Sequence, residues 1–263
     1  MIELQQLSGA LYLAASLAAC TGLALPGSRF VRLSTWLLAI GALLHALAFA
    51  RLHALVPPPP LTDLPVAASL MAWVAVVFAL LLLRRGRLES LAGLVAPFAF
   101  VAVTYASHSL AGGGGIAAPA SGGWPHLHVI LASAGLALLG VAGLAGSLFL
   151  LEDRRLKAKR APGWGRRLPS LEALDRVNVL ALALGFPLLT LGVATGMLWE
   201  HGMTGRWWPG DAHATWSAIA WAIYLALAVA RFGVGWRGRE AAASAAAGFA
   251  FLLFAVIGIG AVS

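Results

Sequence analysis

The sequence predicts an all-α, polytopic integral membrane bundle of about eight transmembrane helices. Three observations predict it. Hydrophobic residues make up 60% of the 263 residues and charged ones only 11%, less than half the roughly 25% charge of a soluble domain; mean hydropathy is +0.87. The apolar residues fall in eight runs, each close to the ~20 residues that a helix needs to cross the hydrocarbon core. The runs are rich in Leu, Ala, Val and Gly without a period of two, which favours helices over barrel strands. This composition excludes a soluble globular domain, and it equally excludes disorder, which needs low hydrophobicity and high charge. The single cysteine, Cys20, excludes an internal disulfide, a CxxC redox pair and a thiolate metal cage.

Taken in order, the runs are 5–25, 33–56, 65–83, 91–107, 127–151, 177–199, 214–230 and 241–261. The first is preceded by Glu3 and no basic residue, so it reads as a span and not as a cleaved signal. Arg29 and Arg32 lie between runs one and two, and Arg84, Arg85 and Arg87 between three and four. Between five and six come Arg154, Arg155, Lys157, Lys159, Arg160, Arg166, Arg167 and Arg176; Arg231, Arg237 and Arg239 follow run seven. Only Arg51 and Arg206 lie in even-numbered connections. By the positive-inside rule, the odd loops face the cytoplasm and both termini lie outside. The +8 charge is thereby a matter of topology and of contact with the lipid bilayer, not of nucleic-acid binding.

The outer connections differ in character. Pro57–Pro60 form a stiff connector, and residues 107–124 a Gly-rich flexible linker. The segment 200–213 alone combines tryptophan, histidine and charge. No long repeat or domain boundary is visible. The chain reads as one membrane domain over 1–263, with four spans in 1–107 and an outer Trp-rich segment, 199–216, inside the region 125–263.

The seven histidines carry the chemical signal. All fall in the outer half of this topology, which points to a site that uses imidazole: haem, another metal or a proton relay. His53, His108 and His126 fit the membrane–water boundary, where an imidazole is an ordinary interfacial group. His45 is embedded near the middle of run two. It is either a functional residue or the centre of a helix–helix hydrogen bond, worth ~0.6–2 kcal/mol in such settings. His128 lies about one turn into run five, where headgroup contact is harder, and is the stronger functional candidate. Trp199, Trp207, Trp208 and Trp216 cluster around one outer connection. Tryptophan belongs to interfacial belts, but flat rings flanked by histidines also suit a planar ligand such as a porphyrin. Gly140, Gly143, Gly146, Gly192 and Gly196 allow close helix approach, and Gly185-Phe186-Pro187 predicts a kink in run six.

The segment Leu174–Arg239 is the most informative. Asp175-Arg176, Gly185-Phe186-Pro187-Leu188-Leu189, Gly196, Trp199, Asp211, Thr215-Trp216, Trp221, Tyr224 and Gly235-Trp236-Arg237-Gly238 resemble the cytochrome c assembly family. These are haem-handling proteins of the CcsA/CcmC type, which carry a Trp-rich WWD segment. Leu127-His128 resembles the family's histidine-bearing helix. The likeness covers about 125–261; the first four spans share hydropathy and His45. The tryptophan segment, Trp207 to Trp216, is shorter than the family's. His213 stands in place of a basic residue and Ala214 of an acidic one. Val229 stands where a histidine precedes GWRG, and no histidine follows the last run. These departures resemble the HemX/YpjD-like branch.

The resemblance implies a haem-handling assembly factor in the inner (cytoplasmic) membrane of a bacterium, not an enzyme in its own right. Haem would be held or relayed at the outer face. His128 would ligate iron, with His45 or His213 as its partner. Trp207, Trp208 and Trp216 would pack on the porphyrin, Arg206 would lie near a propionate, and Asp211 belongs to the same cofactor-binding set. Apocytochrome c would bring the thiols, and other cytochrome c biogenesis membrane proteins would be partners. The alternative is a non-catalytic, HemX-like regulator or structural subunit of the haem pathway that has lost haem ligation. A transporter is disfavoured, because no intramembrane charge pair accompanies His45.

Overall fold

The computed structural model describes residues 2–24, 29–55, 61–83, 89–111, 123–159 and 169–262. Among the described residues, eight α-helices follow the eight apolar runs in order. They are α1 (Ile2–Ala24), α2 (Arg29–His53), α3 (Leu64–Leu83), α4 (Glu89–Ala111), α5 (Gly123–Lys157), α6 (Leu171–Thr204), α7 (Ala212–Ala228) and α8 (Arg239–Val262). The expected Pro57–Pro60 connector, most of the Gly-rich linker, and Arg84, Arg85, Arg87, Arg160, Arg166 and Arg167 lie outside the described residues. The protein is an all-α polytopic membrane bundle. Among the described residues, α2 to α6, and α7 together with the turn that continues it to Val234, are each long and apolar enough to cross a bilayer.

Two helices are much longer than their apolar runs. α5 has 35 residues and α6 has 34. Charged pairs one turn apart explain the extensions. Lys157 Nζ lies 2.8 Å from Asp153, Arg155 pairs with Glu152, and Arg176 lies 2.8 Å from Glu172. Such pairs support helix beyond the apolar segment. Ser170 caps α6 by accepting from the Ala173 N–H, as an N-cap serine does. Helix α6 runs on through Pro187.

The described helices group into two compact units, α1–α4 and α5–α8. In each, chain neighbours pack side by side and the last helix returns to the first. Polar side chains bind the helices together. In the first unit Ser34 donates to the Ala15 carbonyl and Trp73 Nε1 to the Ala42 carbonyl. In the second, Asn178 donates to the Ala142 carbonyl and Trp221 Nε1 to Thr190. A buried polar group with no partner is costly in an apolar medium, so these bonds fix helix rotation as well as contact.

Helix α7 ends in a π turn, Val229–Val234, which periodicity does not reveal. The turn brings Arg231 against α6. Its guanidinium binds both Asp175 carboxylate oxygens, at 3.0 and 2.7 Å, and also donates to the Trp236 carbonyl at 3.0 Å. The Arg231 side chain is only 8% exposed. Gly235 and Gly238 have φ of +85° and +58°, a region that L side chains avoid. The GWRG motif is thus a turn closed by a bidentate ion pair. Arg231→Ala leaves Asp175 without its partner and should cost about 2–4 kcal/mol, since breaking a buried pair from one side is strongly destabilising. The double variant with Asp175→Ala should recover part of that loss. Thermal unfolding in detergent, with Arg237→Ala as reference, measures both.

Candidate functional site

One end of the second unit gathers the start of α5, the end of α6 and the start of α7. Glycines make this possible. A Cβ on Gly192 would lie 2.8 Å from the Ala132 Cα and backbone nitrogen, and one on Gly135 only 2.5 Å from the Leu189 nitrogen. Helices α5 and α6 therefore touch backbone to backbone, as small residues permit within membranes.

That contact sets His128. Its Nδ1–H donates to the Gly192 carbonyl at 2.8 Å. The acceptor is a carbonyl, so the proton must sit on Nδ1, and in the neutral ring Nε2 keeps its lone pair. A backbone carbonyl that orients one ring nitrogen while the other is left to a metal is the usual arrangement of ligating histidines. Gly196 supplies room for the ring: a Cβ there would stand 2.7 Å from Nδ1 and 2.9 Å from Cε1. The Trp199 ring lies 6.3 Å away between centroids. His213 is exposed on the first turn of α7.

The tryptophan segment runs from Gly205, the left-handed cap of α6, to Asp211, the cap of α7. Trp207 and Trp208 are 53% and 46% exposed. The Asp211 carboxylate accepts from the Ala214 N–H at 2.7 Å, so this acidic residue starts α7. Arg206 is exposed, and its backbone N–H donates to Thr204 Oγ1. Trp216 packs on Phe251 and Phe254 of α8. Trp207 stacks on His201 with centroids 4.0 Å apart and planes 6° from parallel. His201 lies outside the residues singled out from the sequence; only its neighbourhood to the tryptophans marked it.

His45 belongs to the first unit and is fully buried. Both ring nitrogens are engaged: Nδ1 with the Tyr12 hydroxyl at 3.2 Å and Nε2 with the Ser69 hydroxyl at 2.8 Å. Its ring also stacks on Phe49 at 5.0 Å. The arrangement links α1, α2 and α3 through one imidazole. Ligation of a metal would require one of these bonds to open.

These features define a polytopic membrane protein with an oriented imidazole and exposed tryptophans at one end of a four-helix unit. Its sequence matches the cytochrome C assembly protein family over residues 61–263, and the chain belongs to that family. The match reaches well upstream of the Trp-rich region. The cytochrome c biogenesis protein CcsA of Synechocystis sp. is 35% identical over 126 residues, 47% of this chain and 36% of that protein. The CcsA protein of Microcystis aeruginosa is 37% identical over 94 residues, covering 36% and 29%. The CcsA protein of Prochlorococcus marinus is 28% identical over 229 residues, covering 76% and 72%. The matched part spans about a third of the length of the first two relatives.

The His45 hub yields a prediction. His45→Ala strands the Tyr12 and Ser69 hydroxyls and leaves a cavity; a loss of about 2–4 kcal/mol is expected. Tyr12→Phe removes one bond without a cavity and should cost about 1 kcal/mol. Thermal unfolding of the two single variants and the double variant checks the order and the coupling.

Proposed function

We propose that this protein handles haem in cytochrome c biogenesis, holding it at the end of the second unit that carries the tryptophan segment. The observation that carries the reading is the His128 geometry: Nδ1 tied to the Gly192 carbonyl and Nε2 left as a free donor pair, in a notch kept open by Gly196. The residues present fit haem. His128 would ligate iron through Nε2. His213, on the first turn of α7 in the same unit as His128, is the second imidazole of this reading. His45, already bonded at both nitrogens, is assigned the structural role. Trp207, Trp208 and Trp216 offer apolar ring surface at the same end, and Arg206 a cation suited to a propionate. When bound, haem would supply the vinyl groups that cytochrome c carries as thioethers. The thiols must come from a client such as apocytochrome c, because this chain has only Cys20.

The relatives' shared CcsA name supports this reading over a regulator that has lost haem. The charge asymmetry supports a place in the bacterial inner membrane, with the tryptophan segment and both termini outside. Other cytochrome c biogenesis membrane proteins are the natural partners.

Protein purified from haem-replete cells should show a Soret band, and His128→Ala should abolish it. Gly196→Val fills the notch and should weaken haem binding about 10- to 100-fold, the range typical of second-shell changes, while His45→Phe leaves the Soret position unchanged. No band in the unmodified protein, or an unaltered band in His128→Ala, would overturn the proposal.

A further inference from the structure

We infer that His201 is a positioning residue: its imidazole holds Trp207 as a fixed flat platform, closing one indole face so that the other is offered to a planar macrocycle. The inference rests on the haem reading above. It begins with how Trp207 reaches His201. Helix α6 ends at Gly205, whose φ of +73° turns the chain back and whose N–H donates to the His201 carbonyl at 2.9 Å. The turn is fastened again by Thr204. Its hydroxyl donates to Glu200, and its oxygen accepts the Arg206 N–H at 3.2 Å. Two residues beyond the cap, Trp207 lies flat on the last turn of α6. Its ring is 4.0 Å from that of His201 and 6° from parallel.

The contact is one of stacking. His201 Nδ1 is buried and has no hydrogen-bond partner, so no bond through that nitrogen holds the imidazole in place. A polar ring kept with an orphaned nitrogen, where solvent lies close by, is held there by its face. The buried Nδ1 is also closed to a metal. Meanwhile Trp207 remains 53% exposed, so indole surface is left over for a second flat ring. A platform whose plane is set in advance loses less freedom when a flat ligand settles on it.

The mechanism requires flatness at position 201, not a ligating nitrogen. Titration of the detergent-purified protein with haem and with metal-free protoporphyrin separates the two. His201→Ala should weaken both ligands by the same factor, roughly five- to tenfold. His201→Phe, which keeps an aromatic face, should bind both within about twofold of the unmodified protein. If haem alone weakens, and Phe fails to rescue it, His201 acts on iron and the inference is overturned. Tighter binding by His201→Ala would make the imidazole an obstruction and would also overturn it, as would unchanged binding of both ligands. Should the unmodified protein bind neither ligand, the haem reading itself falls, and this inference with it.

Discussion

The backbone contact between α5 and α6 is the constraint on which the second unit depends. Lipid provides no hydrophobic drive for helices to meet, so close packing and interhelical hydrogen bonds must hold them. Gly135, Gly185 and Gly192 remove the side chains that would keep the two axes apart. The gain is more than van der Waals contact. At this separation the Gly192 carbonyl lies within reach of a side chain on the neighbouring helix, and His128 uses it. One seam of small residues therefore does two things. It joins the helices, and it selects the tautomer of the imidazole at their shared end.

The opposite end of the same unit works by different physics. There the chain is polar and charged, and the fastening is the bidentate Asp175–Arg231 pair with the Trp236 carbonyl. Between the two ends, side chains bond across helices, Asn178 to the Ala142 carbonyl and Trp221 to Thr190, while the buried Tyr224 hydroxyl has no partner among the described residues. The first unit follows the same economy, with a single imidazole serving three helices. His45 and His128 thus differ in one respect. His45 has both nitrogens satisfied by protein, and His128 has one.

Much of this was legible in the sequence. The eight helices follow from hydropathy, because a bilayer of fixed thickness imposes one length on every span. Helix ends were less legible: α5 and α6 overrun their apolar cores because charge pairs and a serine cap continue the helix where hydropathy has already fallen. The π turn at 229–234 was invisible, since it depends on where Arg231 finds Asp175, 56 residues away. His128 could be picked out by its depth in the span. Which of its nitrogens is free could not, because that is decided by a carbonyl on another helix. The family resemblance marked Asp211 only as part of a motif, whereas its geometry is that of a helix cap. His201 was missed for a related reason. Nothing in a linear reading indicates that a chain reversal at Gly205 lays Trp207 on top of it.

The tryptophan segment is short and capped at both ends, by Gly205 on α6 and Asp211 on α7. Loop length sets how many shapes a segment samples before it engages anything. A long segment can wrap a guest but must be ordered each time; a short one anchored to two helices is nearly ordered beforehand. In the proposed haem site such a segment would present a shelf set in advance, not a hand that closes.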